Sequence, residues 1–222
     1  ERAGKQGLSE RAEDHYRKAH DLLEEYRPEL DSLIYDEFLD LNININSDTL
    51  RDDYGEDVDS EIFETIEDDL ATGITKTDID EFDTFHWILE FAEVYAHGGF
   101  DVVVGNPPWE VLMSNRDDYF SGHDPLFRTR FLEEKNEIQR ELLEDEDIAK
   151  GWIEHQRRRE ILVSYFKESQ SYQLQSPDVG GQARPDLSML FLERIFSLTD
   201  EQGYTAKLLP GKLFTGTGAK DL

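Results

Sequence analysis

At 222 residues without a cysteine, the chain has room for one large domain or two small ones and excludes disulfide scaffolds and thiolate metal centres. Its formal charge is −28, from 51 acidic against 23 basic side chains, the opposite of the basic surface by which a domain grips nucleic acid through charge. No apolar run is long enough to span a bilayer and the start carries no signal-peptide pattern, so a cytoplasmic protein is expected. The acids are dispersed, and arginine outnumbers lysine 14 to 9. Two readings compete: an acidic module that avoids or mimics nucleic acid, and adaptation to high internal salt, where carboxylates keep a surface hydrated. Dispersed acid with few lysines favours the halophilic one. The opening Glu1-Arg2-Ala3-Gly4-Lys5 and the closing Gly218-Ala219-Lys220-Asp221-Leu222 both read as cuts within a longer protein.

Residues 9–27 pattern as an amphipathic helix, with Ser9 as N-cap and Tyr16, Ala19, Leu23 and Tyr26 inward. Pro28 opens a second helix with Leu30, Leu33, Ile34, Phe38 and Leu41 as its stripe. Residues 42–58 are polar and turn-rich, and Ile62, Phe63, Ile66 and Leu70 mark a short helix stopped near Gly73. Between Asp48 and Glu90 there are 16 acids and two bases. The group Asp78, Asp80, Glu81 and Asp83 fits no EF-hand loop, so a solvated surface is the expectation and no metal site is assigned. His86-Trp87 opens an apolar segment, Ile88, Leu89, Phe91, Val94 and Tyr95, that ends at Gly98-Gly99. His86 reads as a packed structural residue rather than a general base.

Phe100-Asp101-Val102-Val103-Val104-Gly105 then reads as a strand buried on both faces, as in a parallel sheet. Asn106-Pro107-Pro108-Trp109 follows it. Two prolines fix φ, donate no N–H and hold the preceding residue extended. This makes a stiff loop at the carboxyl end of a strand, where open α/β sheets place their ligands. It offers a carboxamide, a prolyl carbonyl and an indole: two acceptors for the two N–H groups of an aromatic amine, and a face for its ring.

Asn-Pro-Pro-aromatic after a hydrophobic strand resembles the catalytic motif of S-adenosylmethionine-dependent amino-methyltransferases of the DNA adenine type. The longer string, His86-Trp87-Ile88-Leu89-Glu90-Phe91, Gly98-Gly99-Phe100-Asp101 and Asn106-Pro107-Pro108-Trp109-Glu110, resembles the large type IIG restriction–modification methylases. It is similar also to methylases of BREX- and DISARM-like phage-defence systems. The likeness covers about residues 85–222. The four-residue motif by itself also occurs in amino-cytosine and protein-glutamine methyltransferases, and a non-catalytic DNA- or protein-interaction module is a further alternative. The resemblance implies part of a class I, Rossmann-like α/β methyltransferase fold with large helical additions. It implies an acidic helical segment at 1–84, a catalytic part at 85–222 and a helical insertion at about 111–185. Asn106, Pro107, Pro108 and Trp109 would be the catalytic residues, S-adenosylmethionine the cofactor and double-stranded DNA the partner, with other restriction or phage-defence subunits as further partners. No glycine-rich cofactor turn precedes Asn106, and Gly216-Thr217-Gly218 is too short a pattern to replace it. Cofactor-binding residues are therefore unassigned, and the chain alone is expected to be inactive.

Beyond the motif, Leu126, Phe127, Phe131, Ile138 and Leu142 suggest one helix. Ile148, Trp152, Ile153 and Ile161 to Phe166 suggest another. Arg157-Arg158-Arg159 is a basic triplet in an acidic chain; pairing with nearby glutamates is the ordinary reading, and phosphate contact, with Arg128 and Arg130, is the lesser one. Residues 170–185 read as a loop. Asp186 caps a helix with Leu187, Leu190, Phe191, Ile195 and Leu198 inward, and Gly203 to Leu209 forms a second strand ending at Pro210-Gly211. Strand, helix, strand is the grammar of a parallel sheet.

Overall fold

The computed structural model describes residues 14–43, 45, 51, 57–71, 73–113, 115–172 and 184–211. The Ser9 cap, most of the 42–58 and 170–185 loops and Gly216-Thr217-Gly218 lie outside them. Helix α1 spans 14–24 and α2 Arg27–Asp40, with proline in its first turn. Then come α3 (Ser60–Ile66) with a 3-10 turn at Glu67–Asp69, and α4 (Lys76–Phe82). Two short helices, α5 (Trp87–Glu90) and α6 (Ala92–Ala96), lead into β1 (Phe100–Gly105). The helical excursion holds α7 (Arg116–Phe120), α8 (Leu132–Leu142) and α9 (Glu146–Glu168), and α10 (Leu187–Leu198) returns the chain to β2 (Thr199–Lys207).

Local signals set most of these boundaries. The carboxylates of Asp59, Asp145 and Asp186 accept backbone N–H groups at the starts of α3, α9 and α10. Thr75 and Asp78 cap α4 reciprocally. The apolar residues from Leu126 to Leu142 do not make one helix. A 3-10 turn at Phe127–Thr129 gives way to extended backbone at Arg130 and Phe131, and α8 starts only where Glu134 accepts the Phe131 N–H at 3.2 Å.

The helical elements share one core in which Val58, Phe63, Ile66 and Leu70 meet Phe120, Phe127, Leu143, Trp152 and Ile153. The acidic segment and the insertion therefore fold against each other. A second core joins Phe38, Ile43, Ile74 and Ile79 to Ile161, with the Phe38 and Tyr165 rings stacked at 4.4 Å. Helix α1 forms, but of its expected inward stripe Tyr16, Ala19 and Tyr26 are exposed and only Leu23 is partly buried.

β1 and β2 pair in parallel, with Val103 opposite Thr205 and Gly105 opposite Lys207. The expectation that β1 is buried on both faces is not met: Val102 is 59% and Val104 73% exposed. Only two strands are paired, and α10 is the helix packed against them, so the valine-rich face has no cover among the described residues. Phe100 anchors the start of the strand, edge-on to Trp87 and Phe91. Gly98 and Gly99 turn the chain into the strand with φ of 105° and 129°. A Cβ on Gly99 would stand 2.8 Å from both the Asp200 nitrogen and the Leu198 oxygen. Gly99→Ala should therefore cost about 2 kcal/mol, from the left-handed backbone and the close approach to β2. A lowered thermal midpoint would show it, and an unchanged one would contradict this account of the turn.

Candidate active site

The parallel ladder positions the Asn-Pro-Pro-Trp loop. It continues one step past β1, where the Leu208 N–H donates to the Gly105 carbonyl at 3.1 Å. The next carbonyl in use, that of Leu208, accepts the Trp109 indole N–H at 3.3 Å. The indole is thus pinned by its polar edge to the end of β2 while 49% of the residue stays exposed. Beyond it the chain is strapped to the start of α10. Val111 bridges Asp186, Leu112 N–H donates to Pro185 at 2.8 Å, and Leu187 N–H donates to Glu110 at 2.9 Å. A loop fixed at both ends can hold a planar ligand without first having to become ordered.

Within it Pro107 is buried, whereas Asn106 and Pro108 are exposed. The Asn106 carboxamide makes no hydrogen bond to any described residue, and no described N–H donates to the Pro107 carbonyl. Two acceptors and a half-exposed indole are brought together at one strand end. Lys207 lies alongside: its ammonium is 2.7 Å from where a Cβ on Gly105 would stand, so the glycine makes room for it. Burial pushes the Lys207 amine below the usual lysine range. Lys207 and the Leu208 carbonyl carry no motif of their own. Only the strand register, with Gly105 opposite Lys207, points to them.

The arginine triplet divides three ways. Arg157 is 1% exposed, and its guanidinium donates to the Gly73 carbonyl at 2.6 Å, to Asp78 at 2.7 Å and to Glu154 at 2.7 Å. It is a core residue, and the phosphate reading is withdrawn for it because the guanidinium is buried and each of its nitrogens already donates within the protein. Arg158 pairs with Glu81 at 2.5 Å, as the ordinary reading has it. Arg159 has no ion pair among the described residues and lines a cavity. Arg128 and Arg130 pair with Asp118 and Asp124. His86 is buried, 2.7 Å from an Asp31 oxygen, in the structural role expected. Asp78 departs from the solvated surface expected of its acidic group: it is buried, held by the α4 capping box and the Arg157 pair.

The family model for the Eco57I restriction-modification methylases matches residues 31–141, half of the 222. The chain belongs to that family. The match contains Asn106 to Trp109 and reaches back to α2, well upstream of residue 85, and it ends inside α8. In this restriction–modification methylase the strapped loop is thus part of the matched region, whereas Arg157 to Arg159, α10 and β2 follow it. No curated protein and no solved structure matches the chain. Among the described residues no helix is long and apolar enough to cross a membrane.

Proposed function

We propose that the chain carries the base-binding side of an S-adenosylmethionine-dependent DNA methyltransferase that modifies the exocyclic amine of adenine, as in type IIG or BREX- and DISARM-like systems. The observation that carries this reading is the unpartnered Asn106 carboxamide beside the pinned, half-exposed Trp109. The small parallel sheet with a helix between its strands is in keeping with a Rossmann-like catalytic domain. The substrate places the protein in the cytoplasm with double-stranded DNA, and other restriction or defence subunits are its natural partners.

An aromatic amine is a weak nucleophile because its lone pair is delocalised into the ring. Asn106 Oδ1 and the Pro107 carbonyl draw its two N–H groups towards them, which favours a pyramidal nitrogen with a localised lone pair. Trp109 covers the ring. Rate then comes from orientation and fixed dipoles rather than from removal of a proton beforehand. A base within a duplex does not reach this loop, so it must be flipped out at a cost of a few kcal/mol. S-adenosylmethionine supplies an electrophilic methyl group on a sulfonium. The residues assigned here form the amine side of the site, and none of the described residues is assigned to that donor.

Trp109→Ala tests the base-binding role. In a duplex with 2-aminopurine at the modified position, the wild-type protein should change the fluorescence on binding. The variant should do so with an affinity lower by about 1–3 kcal/mol, the worth of one stacked base. An identical response from the two proteins would contradict stacking on Trp109.

A further inference from the structure

A cavity of about 1130 Å³ lies between α2, α9, α10 and the sheet, apart from the exposed indole of Trp109. Its charge is unlike that of the chain as a whole. Arg158, Arg159, Arg194 and Lys207 line it, with Glu37, Glu81 and Asp83 as its acids. Glu81 is taken up by Arg158 at 2.5 Å, and Glu37 accepts a hydrogen bond from the Ser169 hydroxyl at 3.2 Å. Arg159, Arg194 and Lys207 have no ion pair among the described residues, which leaves these three cations against Asp83 alone. With 51 acids in the chain, cations left unpaired around one cavity mark a place where negative charge is to be supplied from outside.

Aromatic rings make up much of the remaining wall. Phe85 is 52% and Phe191 45% exposed although both line the cavity, and Trp87 lies edge-on to Phe85 at 5.0 Å. Phe191 falls on the expected inward stripe of α10, yet the space in front of it is unfilled. The Nε2 of His155, another lining residue, is buried without a hydrogen-bond partner among the described residues. Burial, with the charges of Arg159 and Arg158, holds its imidazole below the ordinary histidine range.

We propose that this cavity binds a nucleotide, Arg159, Arg194 and Lys207 receiving its phosphate and the rings of Phe85, Trp87 and Phe191 covering its base. Cationic side chains beside aromatic faces are the combination that holds a single nucleotide or an unpaired stretch of strand without reading its sequence. The ligand's source is a free nucleotide or one within a single strand. The site adjoins the Asn106 loop through Lys207, which stands opposite Gly105, and its occupancy does not depend on methyl transfer there.

Titration calorimetry of the chain with deoxyadenosine monophosphate, without any methyl donor, tests it. A short single-stranded oligodeoxyadenylate runs beside it to separate free nucleotide from strand. Binding of either probe is expected, with deoxyadenosine and inorganic phosphate each weaker. Arg159→Gln and Arg194→Gln should each weaken binding about tenfold, the effect of losing one charge-assisted hydrogen bond. Phe191→Ala should weaken the nucleotide more than it weakens inorganic phosphate. The proposal is overturned if neither probe binds at millimolar concentration, if inorganic phosphate binds as well as the nucleotide, or if all three variants bind like wild type. Loss of methylation in Asn106 variants with nucleotide binding intact leaves this site standing, and the converse result leaves the loop standing.

Discussion

Replacing Asp78 by alanine should lower the unfolding free energy by about 3–5 kcal/mol, the cost of leaving one partner of a buried ion pair unmatched. Asp78 and Arg157 side chains are each 2% exposed and meet at 2.7 Å across α4 and α9. The other Asp78 oxygen accepts the Thr75 N–H at 2.8 Å and hydroxyl at 2.7 Å, so the same substitution also removes the reciprocal half of the α4 capping box. A loss of that size is a large part of the 5–15 kcal/mol or so that holds an ordinary domain together. Urea unfolding would measure it. The double change Asp78→Ala with Arg157→Met should recover part of the loss, because the Arg157 charge is no longer left without Asp78, while the Glu154 carboxylate, 18% exposed, loses its arginine partner. An Asp78→Ala protein within about 1 kcal/mol of wild type would show that water reaches the pair, and would contradict the packing of α4 on α9.

Asn106→Ala should have its large effect on chemistry and almost none on the fold. The side chain is exposed and makes no hydrogen bond to a described residue, so stability gives no reason for a carboxamide there. Removing one of two fixed acceptors that polarise the amine should slow methyl transfer by about a hundredfold or more. The thermal midpoint should stay where it is. A methyl-transfer assay and a thermal melt of wild type and variant would record the two results. Unaltered transfer would remove the loop from the chemistry, and a lowered midpoint would mean that Asn106 has a structural role.

The strand, its parallel partner and the helix between them were legible because each carries a local signature. Val102 to Val104 is β-branched, Asp186 caps α10, and Pro210 follows the second strand. The exposure of β1 was not legible, because a run of valines records the environment a strand is suited to. It does not record whether the covering elements are present beside it. The long helix assumed from Leu126 to Leu142 failed for a nearer reason. Its apolar residues have helical spacing, but Glu134 caps a start at Leu132 and the backbone before it is extended.

The arginine triplet holds the plainest lesson about the site. Successive residues on a helix point about 100° apart, so three in a row cannot share one face. That geometry alone says that a contiguous basic run must divide. In the structure Arg157 goes to the core, Arg158 to Glu81 and Arg159 to the cavity. The Asn-Pro-Pro-Trp loop was legible at once, since its rigidity is written into two prolines. What pins it was not, because the Leu208 carbonyl and the Val111–Asp186 bridge are backbone groups brought in by topology.

In the proposed reaction this loop presents an adenine amine for methylation. Mass spectrometry of nucleosides digested from the DNA of cells expressing the gene tests it most directly, with wild type and Asn106→Ala compared. N6-methyldeoxyadenosine present with the wild-type gene and missing with the variant is the expected result. An amino-methylated cytosine in its place, or the adenine mark persisting with Asn106→Ala, would contradict the claim.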